Sequence, residues 1–158
     1  MGLKINEKVG AIRGRVILTL TDVKTGKKDV QIVENLFVDS GKEAIAARLA
    51  DDTAKINRGV PTFGAVGTGT SVPALLDTTL ETEIFRKVLA TTIFSGNQTT
   101  LRLFLSTTQG NGVPKEFGIF GEDATSAPDS GTMFNRVNIN RTKTASNTLT
   151  IEVIFTVG

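Results

Sequence analysis

The stretch that decides the fold is Thr148-Leu149-Thr150-Ile151-Glu152-Val153-Ile154-Phe155-Thr156-Val157. Leu149, Ile151, Val153, Phe155 and Val157 occupy one set of alternate positions; Thr148, Thr150, Glu152, Ile154 and Thr156 occupy the other. A period of two puts the first set on a core and turns the Thr-rich set towards water or a partner, as in a half-buried β-strand. Leu101, Leu103 and Leu105 repeat the pattern around Arg102, Phe104 and Ser106, and Val16, Leu18 and Leu20 repeat it around Ile17, Thr19 and Thr21. After the last of these, Lys24-Thr25-Gly26-Lys27 leads back through Val30 and Ile32. Gly26 supplies the positive φ of a tight turn, so this segment is predicted to be a hairpin.

Working outward, further strands are predicted over 62–66, 84–94, 99–105, 115–120 and 132–139. Gly96-Asn97 and Asn111-Gly112 read as turns, 122–131 as an exposed loop, and 67–79 as an ordered but irregular loop. One helix is predicted. Ser40-Gly41-Lys42-Glu43 has the Ser-x-x-Glu form of a capping box, followed by the Ala-rich run 44–50. Ile45 and Leu49 are expected to bury one side, and Asp51-Asp52, opposing the helix dipole, to end it. The expected architecture is mainly β: an antiparallel, jelly-roll-like β-sandwich of about seven to eight strands with one short helix near residues 41–50.

The chain has 158 residues, enough to bury roughly 70% of its unfolded surface in one core. Residues 16–158 are read as a single domain, and 1–15 as an N-terminal arm or, alternatively, an edge strand. No His and no Cys are present, which excludes Ser-His-Asp and Cys-His catalysis, disulfides, and nearly all zinc, iron or copper sites. Eighteen basic and 16 acidic residues leave a net charge of +2, no mark of a nucleic-acid binder. The opening residues lack a secretory apolar run, Asn6 stands where a myristoylation site needs Ser or Thr, and no stretch suits a membrane span. The sequons at Asn97 and Asn140 are read as chance matches, and the protein is expected to be made in a cytoplasm.

Few residue groups suggest chemistry. Gly67-Thr68-Gly69-Thr70 lacks the Lys-Ser/Thr ending of a phosphate loop and reads as a tight turn. Asp51/Asp52, Asp77/Glu81/Glu83 and Glu122/Asp123 are acidic clusters without calcium-loop spacing, and read as solvated loops. Arg13-Gly14-Arg15, with Lys24, Lys27 and Lys28, gathers positive charge without interleaved aromatics, so an acidic protein partner suits it better than nucleic acid. Sugar platforms use Trp or Tyr, and this chain has neither; its nine Phe residues are expected in the core. An assembly protein remains, since small Thr and Asn side chains pack closely across subunits.

The order of segments resembles a family of small tailed-bacteriophage virion proteins. The resemblance rests on Thr25-Gly26; Asn35-Leu36-Phe37-Val38-Asp39-Ser40-Gly41-Lys42; the Ala-rich helix; and Phe63-Gly64-Ala65-Val66-Gly67-Thr68-Gly69-Thr70. It continues through Pro73-Ala74, the run from Asp77 to Glu83, Arg86-Lys87, Lys115-Glu116-Phe117-Gly118-Ile119-Phe120, Gly131-Thr132-Met133-Phe134-Asn135-Arg136, and the closing strand from Lys143 to Ile151. The resemblance implies a non-enzymatic virion structural protein, assembled in the host cytoplasm, with no catalytic residue, cofactor or metal to carry over. Its partners would be the major capsid protein or other virion proteins, with self-association into a homo-oligomer and no membrane or specific nucleic acid. Capsid decoration or cementing is the first reading, and attachment of fibres at the tail, neck or baseplate the alternative. The helix followed by Gly-Thr-Gly is also similar to tail-fibre attachment domains, but the chain stops at Gly158 without a shaft, which favours a stand-alone particle protein. Leu3, Ile5 and Val9 are apolar among charges, as in an arm that orders on a partner, and with Arg13 and Arg15 form the expected partner-binding set.

Overall fold

The computed structural model describes residues Ile12–Gly158. Ten strands and one helix run in the order β1 (Ile12–Asp22), β2 (Lys28–Glu34), β3 (Leu36–Phe37), α1 (Asp39–Leu49), β4 (Pro61–Gly67), β5 (Glu83–Val88), β6 (Thr91–Ser95), β7 (Gln98–Leu105), β8 (Glu116–Gly121), β9 (Thr132–Asn138) and β10 (Asn147–Val157). They form two antiparallel five-stranded sheets, ordered β2-β1-β10-β7-β6 and β3-β9-β8-β4-β5. The expected mainly-β sandwich with one short helix is the architecture found, with more strands than the periodicity predicted. The hairpins β1–β2, β4–β5, β6–β7 and β8–β9 each stay within one sheet.

Alternation decides which side chains meet between the sheets. Leu149, Ile151, Val153 and Phe155 of β10, Leu101, Leu103 and Leu105 of β7, and Val16 and Leu18 of β1 all face inward. They pack on Val66, Phe117, Ile119, Phe134 and Val137 of the opposing sheet. Phe37 closes one end, edge-on to Phe155 at 5.1 Å between ring centroids. Phe104 and Phe94 depart from the expectation that every Phe is core: they are 38% and 79% exposed. Phe104 takes the outward position of β7, and Phe94 lies on an edge strand.

The predicted single strand over 84–94 is two strands in different sheets. The Leu89 amide still donates to the Thr62 carbonyl in β4, β5's neighbour, whereas the Ala90 amide donates to the Arg102 carbonyl in β7. The chain therefore crosses between layers at Leu89-Ala90, with Leu89 packed against the core. Both halves keep strand character, so local pattern alone does not reveal the crossing.

The capping box is also corrected. Helix α1 starts at Asp39 with Val38 at the N-cap and no side-chain cap bond. Ser40 lies inside the first turn, and its hydroxyl donates to the Met133 carbonyl at 2.8 Å, fastening the helix to β9. The Leu75 carbonyl accepts the Asp39 amide instead. The buried side is Gly41 and Ala44 with Ile45 partly buried, while Leu49, expected inside, is 84% exposed. The helix ends where expected, for a different reason. Asp51 adopts a left-handed φ of 53°. Its amide bonds Arg48 and the Asp52 amide bonds Ala47, the paired closure of a Schellman motif.

The two sheets differ in what covers their outer faces. Segment 68–82 and the loop after β8 fold across the second sheet, where Leu80 and Ala124 pack with Val38, Ala65, Phe120 and Met133. Every residue of β8 is buried as a result. No described element covers the outer face of the first sheet in this way. Among the described residues no helix is long and apolar enough to cross a membrane.

Candidate interaction surface

Strand register fixes the composition of that bare face. Reading across β2, β1, β10, β7 and β6, one row is Glu34, Arg15, Ile154, Thr100 and Ile93; the next is Ile32, Ile17, Glu152, Arg102 and Thr91. A third row is Val30, Thr19, Thr150 and Phe104. The Thr-rich set of β10 therefore looks outward as its period requires. Ile32, Val30 and Ile93 are each at least half exposed, and Arg102 meets Glu152 at 3.2 Å across β7 and β10. Cross-strand pairs of this kind modestly stabilise the pairing of neighbouring strands.

Two shallow hollows lie on it. Arg13, Gly14, Arg15, Glu34, Gln98, Ile154 and Thr156 surround about 380 Å³. A second hollow of about 410 Å³ lies between Thr19, Lys28, Arg102, Phe104 and Glu152, among others. Arg13 and Arg15, predicted as partner-binding residues, are thus placed together on this face, in β1 opposite Thr156 and Ile154. Arg15 stands opposite Glu34, yet among the described residues neither arginine closes an ion pair within 4.0 Å. Leu3, Ile5 and Val9, and the arm as far as residue 11, lie outside the described residues; Ile12–Arg15 are strand.

The other sequence candidates have structural partners. Gly67 and Gly69 make room for Glu116: a Cβ on either would stand 2.4 or 2.6 Å from its Oε1. The Gly69 amide donates to that oxygen at 3.0 Å, and the Glu81 and Thr82 amides donate to the same carboxylate at 3.0 and 2.8 Å. The loop amides hold a carboxylate from their own chain. Asp77 bonds Arg136 at 2.8 Å, Glu81 accepts the Thr70 and Ser71 amides, and Glu83 clasps Arg86. Those hydrogen bonds hold Glu81 below the ordinary carboxylate range.

Asp52 pairs with Arg58, and its carboxylate also accepts the Ala54 amide; these bonds lower its pKa. Glu122 is buried, and burial pushes its carboxyl up. Thr132 at 2.8 Å, the Gly59 amide at 3.0 Å and Lys55 outweigh that and hold it below the usual value. No group of three or more acidic residues among the described residues is placed to hold a metal.

The Glu116–Arg136 pair was missed by sequence reasoning. The available signal was a charge set inside an otherwise buried run, in Lys115-Glu116-Phe117-Gly118-Ile119-Phe120 and in Met133-Phe134-Asn135-Arg136-Val137. Such charges are almost never buried unless paired. Among the described residues, no further element lies over the outer face of the first sheet. No family model matches the chain, and no curated protein or solved structure matches it either.

Proposed function

We propose that the chain is a non-enzymatic structural protein of a tailed-bacteriophage particle, docking on the capsid surface and stabilising the shell as a decoration protein. The observation that carries this reading is the asymmetry of the sandwich. The central strands of one sheet are buried on both faces, and the other sheet presents a Thr-rich outer face with exposed Val30, Ile32 and Ile93 and two unpaired arginines among the described residues. The order of sequence segments supports the particle setting. Arg13 and Arg15 suit an acidic protein surface, and Ile17, Ile32 and Ile154 suit an apolar contact at its centre. Binding the assembled lattice, and not free subunits, stabilises that lattice by mass action, and many identical sites multiply the effect.

Copy number per purified virion, measured by quantitative mass spectrometry against the major capsid protein, tests the reading. A ratio near one, or a simple fraction of it, is expected. A few copies per hundred capsid subunits would move the protein to the tail, neck or baseplate, and its absence from particles would overturn the reading.

A further inference from the structure

The two sheets end in four edge strands, and three of these are guarded. β2 carries Lys28, Asp29 and Glu34, β5 carries Glu83, Arg86 and Lys87, and β3 is two residues long. Charges and shortness are how sheet proteins keep their edges from pairing with other chains. β6, Thr91-Thr92-Ile93-Phe94-Ser95, has neither protection. It carries no charge, Pro or Gly, consists mostly of β-branched and aromatic residues, and is exposed along its whole length. Among the described residues its one strand neighbour is β7. Ile93 and Phe94, on opposite faces, are 51% and 79% exposed.

The turn into β7 determines which backbone groups are free. Gly96, at φ 59°, and Asn97 form a two-residue connection that pairs Ser95 with Gln98. A two-residue hairpin makes that closing pair a hydrogen-bonded one, so by alternation Ile93 and Thr91 also bond towards β7. The amides and carbonyls of Thr92 and Phe94 then point away from the sheet, unpaired by any described strand.

We infer that β6 is a pairing edge for a second copy of this chain, joined antiparallel across a two-fold axis at Ile93. The strand is self-complementary in that arrangement. Thr92 of each copy falls opposite Phe94 of the other, so their free amides and carbonyls bond reciprocally, and Ile93 meets Ile93 in a non-hydrogen-bonded pair. Thr91 falls opposite Ser95, and no charge faces a like charge. The β2-β1-β10-β7-β6 sheets of the two copies become one continuous sheet across the axis. The inference does not depend on the particle reading, because it concerns the isolated protein in solution.

The chain has no cysteine, which gives a direct test. Across a two-fold axis at Ile93 the paired Cα atoms lie about 4.5 Å apart, within disulfide reach. Ile93→Cys should therefore oxidise to a covalent dimer, while Val30→Cys, equally exposed on β2, should stay monomeric on a non-reducing gel. In sedimentation velocity the wild type should run as a dimer. Thr92→Pro removes only a free donor and Ile93→Lys adds a guard charge; both should run as monomers that still unfold in a single cooperative transition, without the concentration-dependent melting temperature of the wild type. A monomeric wild type, a dimer that survives both substitutions, or equal cross-linking through residue 30 would overturn the inference.

Discussion

Arg136 and Glu116 form an ion pair at 2.9 Å in which both side chains are buried, at 3% and 0% exposure. They lie on neighbouring strands, β9 and β8, on the face of the second sheet that segment 68–82 covers. The pair is extended by Asp77 at 2.8 Å from the guanidinium and by Ser71, whose hydroxyl accepts from Arg136 at 2.9 Å. Burial disfavours the charged guanidinium, but the bonds to Asp77 and Glu116 outweigh it, so Arg136 is held above its ordinary pKa.

Removing one partner strands the other charge. Glu116→Ala should cost about 3–5 kcal/mol, the usual penalty for breaking a buried pair. Because Glu116 also accepts three backbone amides, replacing both residues with Met should not restore stability, unlike buried pairs that hold only each other. Urea unfolding checks this: both variants should lower the midpoint at an unchanged slope.

Gly41 is tested by the opposite substitution. Ala favours helix over Gly by up to about 1 kcal/mol, so propensity alone forecasts stabilisation by Gly41→Ala. Yet a Cβ at this position would lie 2.6 Å from the Phe134 Cα and 2.7 Å from its carbonyl oxygen. Backbone cannot yield as a side-chain tip does. A net loss of about 1–3 kcal/mol is expected, read as a lower melting temperature in calorimetry.

Lys143 carries a pH dependence. Its side chain is buried, donating to the Ser106 carbonyl at 2.6 Å and Asn111 at 2.8 Å, and desolvation lowers its pKa below the ordinary 10.5. A lysine with a lowered folded pKa binds fewer protons folded than unfolded between the two values. Stability therefore rises with pH across that window and is lowest below the folded pKa. Subtracting the curve of Lys143→Met from wild type, by chemical denaturation over the alkaline range, should isolate this rise. A flat difference would refute it.

Glu122 should act at the acid end. Its folded pKa is depressed, so the stability it contributes is present above the unfolded value of 4.5 and disappears as pH falls through the folded value. Glu122→Gln should be less stable than wild type at neutral pH. The gap should narrow under acid, as measured by thermal unfolding at a series of pH values.

The outer face of the first sheet can be altered without touching the core. Ile32→Glu, at a residue 61% exposed, should change stability by no more than about 0.5 kcal/mol. On the proposed role it should weaken binding to undecorated shells at least tenfold, about 1.4 kcal/mol, in a co-sedimentation assay. Arg13→Glu combined with Arg15→Glu should act in the same direction and make the residual binding less sensitive to salt.

Period-two alternation determined which residues of β1, β7 and β10 face inward, because a strand leaves each side chain only two directions and water sorts them. Composition determined equally firmly the absence of thiol and imidazole chemistry. The sites of Arg13 and Arg15 were legible only as a basic cluster. Their common face followed once residues 12–15 proved to be part of β1 and not of an arm, and the order β2-β1-β10 set which neighbours share it.

Tertiary structure alone decided three things. It split 84–94 between layers, a choice set by whether Thr62 or Arg102 receives the next amide. It turned Gly67 and Gly69 from turn residues into clearance for Glu116, whose partners come from positions 69, 81, 82 and 136. It also covered one sheet and left the other bare, since a loop's resting place depends on distant contacts such as Leu80 on Phe120 and Met133, which no local pattern encodes.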